Sequence, residues 1–207
     1  EVLGVFQSDG EVRKHVDADG NLIQPNAKPG DFKYADLNGD GEINSEDRTI
    51  IGDPTPNLSY GFTVSAAYKG FDFLLFAQGV SGNDIYNGLR RLDIPSANWT
   101  TDVLDRWQGV GTSNTFPRIV LGDPNKNFSN PSTFHLSNGA YFRVKTIQLG
   151  YTLPGRMTDR IGLQKLRVYV GANNLFTATE YKGFDPEIGG DSYGIDRGYY
   201  PQARTFM

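Results

Sequence analysis

Between Tyr60 and Val80 the chain alternates. In the first run, Tyr60–Lys69, the even positions Phe62, Val64, Ala66 and Tyr68 are apolar. The odd positions Gly61, Thr63, Ser65, Ala67 and Lys69 are small or polar. A period of two marks a strand with two different faces. A second run follows a short joint at Gly70-Phe71 and is apolar on both faces over Phe71, Phe73, Leu74, Leu75 and Phe76. A joint this tight predicts an antiparallel hairpin. Each run has about ten residues, enough for a tilted strand to cross a bilayer. Alternation returns in Gly139–Leu153, where Ile147, Leu149, Tyr151 and Leu153 share a face. Arg143 and Lys145 fall on that same face by count, so a bulge or a strand rising above the membrane plane is expected there. In Lys165–Phe176, Leu166, Val168, Val170 and Ala172 oppose Arg167, Tyr169, Gly171 and Asn173. Glu1–Phe6 and Pro201–Met207 read as strand ends.

The connections are lopsided. The joints at 70–71 and 154–164 are short, whereas the loops at 7–59, 81–138 and 177–200 are long. A short helix is expected within Gln7–Val16. Another is expected in Thr100–Gln108, capped by Thr100 or Thr101, with Val103, Leu104 and Trp107 as its apolar face. Short turns at one end and long loops at the other are the organisation of an outer-membrane barrel.

Composition narrows the classes. Aromatics make up 13% of the chain and glycines number 25, which suits many short strands and turns. The formal net charge is −4 and the basic residues are scattered, which argues against a nucleic-acid partner. The absence of cysteine excludes disulfides and a thiol nucleophile. No apolar run approaches the roughly 18 residues of a transmembrane helix, but barrel strands evade that criterion because they alternate. The chain opens inside an apparent strand, so a piece of a longer protein is expected.

Asp36–Asp47 (DLNGDGEINSED) has the spacing of an EF-hand-type calcium loop. Asp36, Asn38 and Asp40 stand at positions 1, 3 and 5, and Gly41 permits the sharp turn at 6. Glu42 offers its carbonyl at 7, Asn44 stands at 9, and Asp47 closes the shell at 12. Aspartate in place of glutamate at position 12 resembles the dockerin variant. These residues predict a structural Ca²⁺ in an extracellular loop spanning 31–57; the plainer alternative is an Asx-rich turn without metal. Trp99 and Trp107 lie in the longest loop, where an exposed indole can stack on a sugar ring or pack the loop itself. His15 and His135 read as surface loop histidines. Asp185 and Glu187, or Asp102 and Asp105, could be taken for a glycosidase pair, but their setting reads as solvated loop or helix charge. No catalytic constellation appears, so no enzyme is expected.

Several segments resemble the C-terminal region of SusC/RagA-type TonB-dependent transporters. They are Gly4–Ser8, Pro29–Asp31, Asp36–Arg48 with Ile51-Gly52, and Tyr60–Phe62. They continue with Tyr68–Asp72, Gly79–Tyr86, Tyr141–Lys145, Gly150–Pro154, Gly171–Thr177 and Tyr181–Glu187. They occur in family order along residues 1–207. The resemblance implies an all-β chain, part of a large antiparallel transmembrane β-barrel in the outer membrane of a Gram-negative bacterium. It also implies a SusD-like surface lipoprotein as a lid, the remainder of the barrel and a plug, and a TonB complex acting through an N-terminal part that this sequence lacks. The cargo implied is an oligosaccharide, in some members a peptide. A plugged barrel needs about 22 strands, and this sequence shows five or six, so its sheet should pair with further strands. The rival expectations are a soluble secreted carbohydrate-binding β module with a dockerin-like calcium loop, and a fragment of a secreted glycoside hydrolase.

Overall fold

The computed structural model describes residues 1–92, 94, 96, 98–188 and 193–207. The chain forms two compact units, Glu1–Gly52 with Asn87–Leu136, and Asp53–Tyr86 with Ser137–Met207.

The second unit is organised by an antiparallel sheet. Its strands are β3 (Leu58–Tyr68), β4 (Phe71–Ser81), β7 (Tyr141–Thr152), β8 (Arg167–Thr179) and β10 (Thr205–Phe206), in the order β10-β8-β7-β4-β3. Tyr68 pairs with Phe71, so the hairpin turn is Lys69-Gly70, one residue earlier than the expected joint. Both turn residues have positive φ, 47° and 89°. That mirror-image turn matches the twist of the strands it joins, and glycine takes the second position without steric cost. The connection from β7 to β8 is short, with a four-residue helix at Gly155–Thr158 and a 3-10 turn at Asp159–Ile161.

Register assigns the faces. Phe76 pairs with Thr146 and Ala77 with Val144, so Lys145 is an inserted residue. This bulge solves the problem that Arg143 posed in the sequence. Beyond it the alternation reverses, and Phe142 and Val144 join the face of Ile147, Leu149 and Tyr151. Arg143 joins Thr146, Gln148 and Gly150 on the other face. On β8, Val168, Val170, Ala172, Phe176 and Ala178 pair with the apolar set, whereas Arg167, Gly171, Asn173, Thr177 and Thr179 pair with the polar one. Phe73 and Leu75 lie on the apolar face, and Leu74 and Phe76 on the opposite one. A smaller sheet runs in the order β6 (Leu136–Asn138), β5 (Asp84–Asn87), β9 (Ile195–Asp196).

The first unit has little regular structure. It contains a two-stranded sheet, β1 (Val2–Val5) with β2 (Phe32–Tyr34), and the helix α1 (Asp9–Lys14). The expected helix after Thr100 is a 3-10 segment, Thr101–Asp105, and Thr100 makes no side-chain cap bond. Leu104 is exposed rather than part of an apolar face. The unit closes around Phe6, Phe32 and Phe128, all fully buried, with Phe134 edge-on to Phe116 and Phe128. Polar side chains from one segment satisfy backbone groups of the other. Asn127 accepts from Phe32 N at 2.9 Å, Asn114 from Val5 N at 3.1 Å, and Tyr34 donates to the Lys126 carbonyl at 2.9 Å. Arg118 pairs twice with the buried Asp31, at 2.8 and 2.9 Å. The two long loops at 7–59 and 81–138 are therefore largely one folded body with its own core.

Candidate functional site: a two-faced sheet and its ionic cluster

The main sheet turns its apolar face outward. Phe62, Phe71, Val170 and Phe206 are 46%, 53%, 63% and 71% exposed. The rings contact one another along the surface, with Phe71 4.5 Å from Tyr151 and Phe62 stacked 6.2 Å from Phe142. Water penalises such a surface, whereas hydrocarbon accepts it.

The opposite face carries the charge. Near the hairpin turn, Arg167 forms a two-point contact with Asp72, 2.9 Å from Nε to Oδ2. Towards the other end lies a denser cluster. Arg143 is 3% exposed and uses all three sides of its guanidinium. Nε donates to Thr177 Oγ1 at 2.8 Å, Nη1 to Glu187 Oε2 at 2.7 Å and Nη2 to Asp185 Oδ1 at 2.6 Å. Lys145 Nζ lies 3.0 Å from Glu187 Oε2, and Gln78 Nε2 donates to Glu187 Oε1 at 3.2 Å. Asp185 also accepts from the backbone N–H groups of Glu187 and Gln202, at 2.9 and 2.8 Å. Burial opposes its ionisation, but the bonds from Arg143, Gln202 and Glu187 outweigh that and hold its pKa below the usual carboxylate value.

Asp185 and Glu187 are thus not solvated loop charges. They neutralise two cations on the sheet, 42 or more positions away in sequence. A carboxylate held by Arg143 and two backbone donors is a poor proton donor, which removes the basis for a glycosidase pair. The histidines also depart from expectation. His135 is fully buried, edge-on to Phe134, and burial lowers its pKa. His15 is half-buried against Phe6, with Nε2 3.1 Å from the Tyr34 carbonyl. Its pKa is lowered by burial and then by Lys33.

The Asp36–Asp47 loop is wound by its own side chains. Asp36 accepts from Gly39 N and Gly41 N at 2.7 and 2.9 Å, and Asp47 from Leu37 N and Asn44 N at 2.7 and 2.8 Å. Asp40 Oδ2 takes the amide donors of Asn38 and Asn44, at 2.9 and 2.7 Å. Glu42 contributes its N–H to Asp40 Oδ1. The donor set is all oxygen and amide, which fits a hard cation. Among the described residues, however, no three His, Asp or Glu side chains converge as a metal cage. Asn38 and Asn44 turn N–H groups towards the Asp40 carboxylate, while the Asn38 oxygen accepts from Asp40 N at 3.1 Å. Trp107 packs beside the cluster of Val5, Phe32 and Tyr34, and donates from Nε1 to Gln7 at 3.1 Å. Gly30 lies against its ring so closely that an added Cβ would sit 2.4 Å from Cε3. Trp99 is 51% exposed.

An antiparallel sheet with an outward apolar face and an ion-paired opposite face is wall of the transmembrane β-barrel type. No family model matches the chain, but individual relatives do. It is 38% identical over 222 aligned positions to TonB-dependent receptor P3 of Formosa agariphila, covering 100% of this chain and 22% of the relative. It is 30% identical over 187 positions to TonB-dependent receptor SusC of Bacteroides thetaiotaomicron, covering 90% of this chain and 18% of that one. The solved RagAB peptide transporter matches it with a TM-score of 0.67 at 26% identity, over 100% of this chain and 21% of that one. The chain is homologous to a segment of SusC/RagA-type TonB-dependent receptors, and spans about a fifth of the length of the curated relatives it matches.

Proposed function

We propose that this chain forms part of the barrel wall and outer loops of an energy-coupled nutrient importer in the outer membrane of a Gram-negative bacterium. The observation that carries the reading is the continuous apolar face from Tyr60–Tyr68 to Phe206, opposed by Arg143, Arg167 and their carboxylate partners. In the homologous receptors' class, TonB supplies the energy and a SusD-like lipoprotein covers the outside. On this reading β3 and β10 pair with the remaining strands of the barrel, since an unpaired edge cannot face lipid. The first unit stands outside the membrane, and its exposed Trp99 offers an aromatic surface to cargo or lid. Trp107 acts there indirectly, as a packing residue. The cargo is an oligosaccharide or a peptide; the fold shared with the RagAB peptide transporter supports the second. The role is binding and conduction, with no chemistry performed on the cargo.

A structural Ca²⁺ in the Asp36–Asp47 loop belongs to the same proposal. Asp36, Asn38, Asp40, Asn44, Asp47 and the Glu42 carbonyl would hold it once the two asparagine amides turn their oxygens inward. Replacing Asp36 and Asp40 by Ala is expected to abolish the effect of EDTA on protease cleavage of residues 31–57. Equal cleavage of the unmodified protein with and without EDTA would discard the ion.

The main test is extraction. The native protein is expected to leave the membrane only with detergent, together with barrel, plug and lipoprotein. Recovery as a detergent-free monomer would replace this reading with a soluble carbohydrate-binding module.

A further inference from the structure

The bulge at Lys145 sets Lys145 beside Arg143 at a patch of the polar face that Tyr181–Ile188 covers. The two carboxylates of that segment are bound differently. The Asp185 side chain is 9% exposed, and it is tied to Gln202 N as well as to Arg143. The Glu187 side chain is 27% exposed, and its oxygens meet Arg143 Nη1, Lys145 Nζ and Gln78 Nε2. Those three donors come from adjacent strands β4 and β7, so they remain in place if Glu187 leaves. The sheet thus presents a carboxylate-binding site whose occupant is a side chain of the same molecule. Glu187 also borders a cavity of about 260 Å³, lined in part by Val80, Asn83, Tyr141 and Tyr193. Asn83 Oδ1 is buried without a hydrogen-bond partner among the described residues and lies in that lining. The cavity therefore offers room and an unused acceptor next to the occupied cation pair.

We propose that Tyr181–Ile188 is a self-occluding strap and that Glu187 stands in for an anionic group of the cargo. Asp185 is the pin that keeps the strap near the sheet. A carboxylate carried by cargo takes the place of Glu187 at Arg143, Lys145 and Gln78, and the strap opens at its Ile188 end. Charge balance favours exchange over simple release. Two cations face two carboxylates in the closed state, and swinging Glu187 out alone would leave Arg143 and Lys145 facing one carboxylate in a poorly solvated place. An incoming carboxylate restores the balance; a neutral molecule does not. The proposal rests on the reading that the polar face lines the barrel interior.

The test uses the whole transporter in outer-membrane vesicles. This chain has no cysteine, and any elsewhere in the transporter is replaced, so Ile188→Cys reports strap opening through its labelling rate with a water-soluble maleimide. The probes are tri-glutamate, tri-galacturonate and neutral maltotriose. One or both anionic probes should raise labelling about tenfold, the scale of one charge-assisted hydrogen bond, and maltotriose should not. A response to one anionic probe alone identifies peptide or acidic glycan as the source of the carboxylate. Glu187→Gln should label about as fast without probe as the parent does with it, and should lose the response. Equal effects of neutral and anionic probes, no response to either anionic probe, or parent-like labelling of Glu187→Gln would overturn the proposal. Asp185→Asn is not needed, so a folding defect there cannot obscure the result. Val170→Cys is the separate control for the barrel: free labelling there overturns the lipid-facing assignment and leaves the strap measurement readable.

Discussion

The two units obey opposite rules. In the first, Phe6, Phe32 and Phe128 are hidden and polar side chains stitch irregular backbone around them. In the sheet, Phe62, Phe71 and Phe206 are displayed, and the most buried large side chain of the cluster is an arginine. On the proposed reading, one sequence contains a water-solvated body and a lipid-solvated one. The lesson concerns the solvent. Burial of apolar area is favourable only where water is the alternative, so the exposed rings on the sheet are no defect if hydrocarbon replaces water.

The largest effects should come from the centre of each unit. Arg143→Met strands Asp185 opposite a neutral side chain and leaves Glu187 to Lys145 and Gln78. Removing one partner from a buried ion cluster costs about 3–5 kcal/mol. The expected readout is a lower temperature of heat-modified gel migration for the purified transporter. Phe32→Ala should cost about 3–5 kcal/mol through its cavity, but locally, as faster amide exchange in residues 31–34 and 123–128. If either variant loosened both units equally, the contrast between them would be wrong.

The next effect separates the two faces of one strand. Val170→Arg places a charge on the apolar face, at a cost of about 2–4 kcal/mol near the bilayer midplane. Gln148→Arg lies on the neighbouring strand's polar face and should be tolerated. Folding yields in lipid vesicles, measured over a urea series, would compare them. Equal yields would mean that the apolar face does not meet lipid.

Acid should act on the ionic cluster before the aromatic core. The folded pKa of Asp185 is depressed, so its contribution is fully present above the ordinary aspartate value of about 3.9. It is lost as pH falls through the lower, folded value. Residues 181–188 should therefore gain protease sensitivity only well below pH 4, while the core around Phe32 keeps its protection. Sensitivity that sets in near neutral pH would show that Asp185 is not what holds the segment.

Much of the sheet was legible because a strand's period is local. The faces of β3 and β8 follow from counting by twos. The bulge at Lys145 was legible as an inconsistency, two cations on an apolar face, and the structure resolves it by one inserted residue. The turn was misplaced by one because a lysine with positive φ at position 69 leaves no compositional mark. The first unit was not legible as a unit. Its ties join residues about 90 to 110 positions apart, such as the ion pair of Asp31 with Arg118 and the bond from the Gln7 side chain to the Ser113 carbonyl, and such ties have no periodicity. Asp185 and Glu187 failed for the same reason. A polar loop looks solvated until its partner strand is known.

The smallest predicted effect tests how independent the first unit is. Helix α1 has only six residues, too few to be stable alone. Ser8 accepts from Glu11 N at 3.3 Å, and the Glu11 carboxylate accepts from Gln7 N at 2.8 Å, a reciprocal N-terminal cap displaced by one residue. Val12 anchors the helix beside Phe6 and Ala27. Ser8→Ala should cost about 1 kcal/mol. Because Gln7 also binds Gly111 N and Trp107 Nε1, the loss should pass to the segment 107–116 as faster amide exchange. The barrel's heat-modification temperature should not move. Were it to fall with this cap, the first unit and the main sheet would melt as one, and the opposite rules would describe two surfaces of a single cooperative unit.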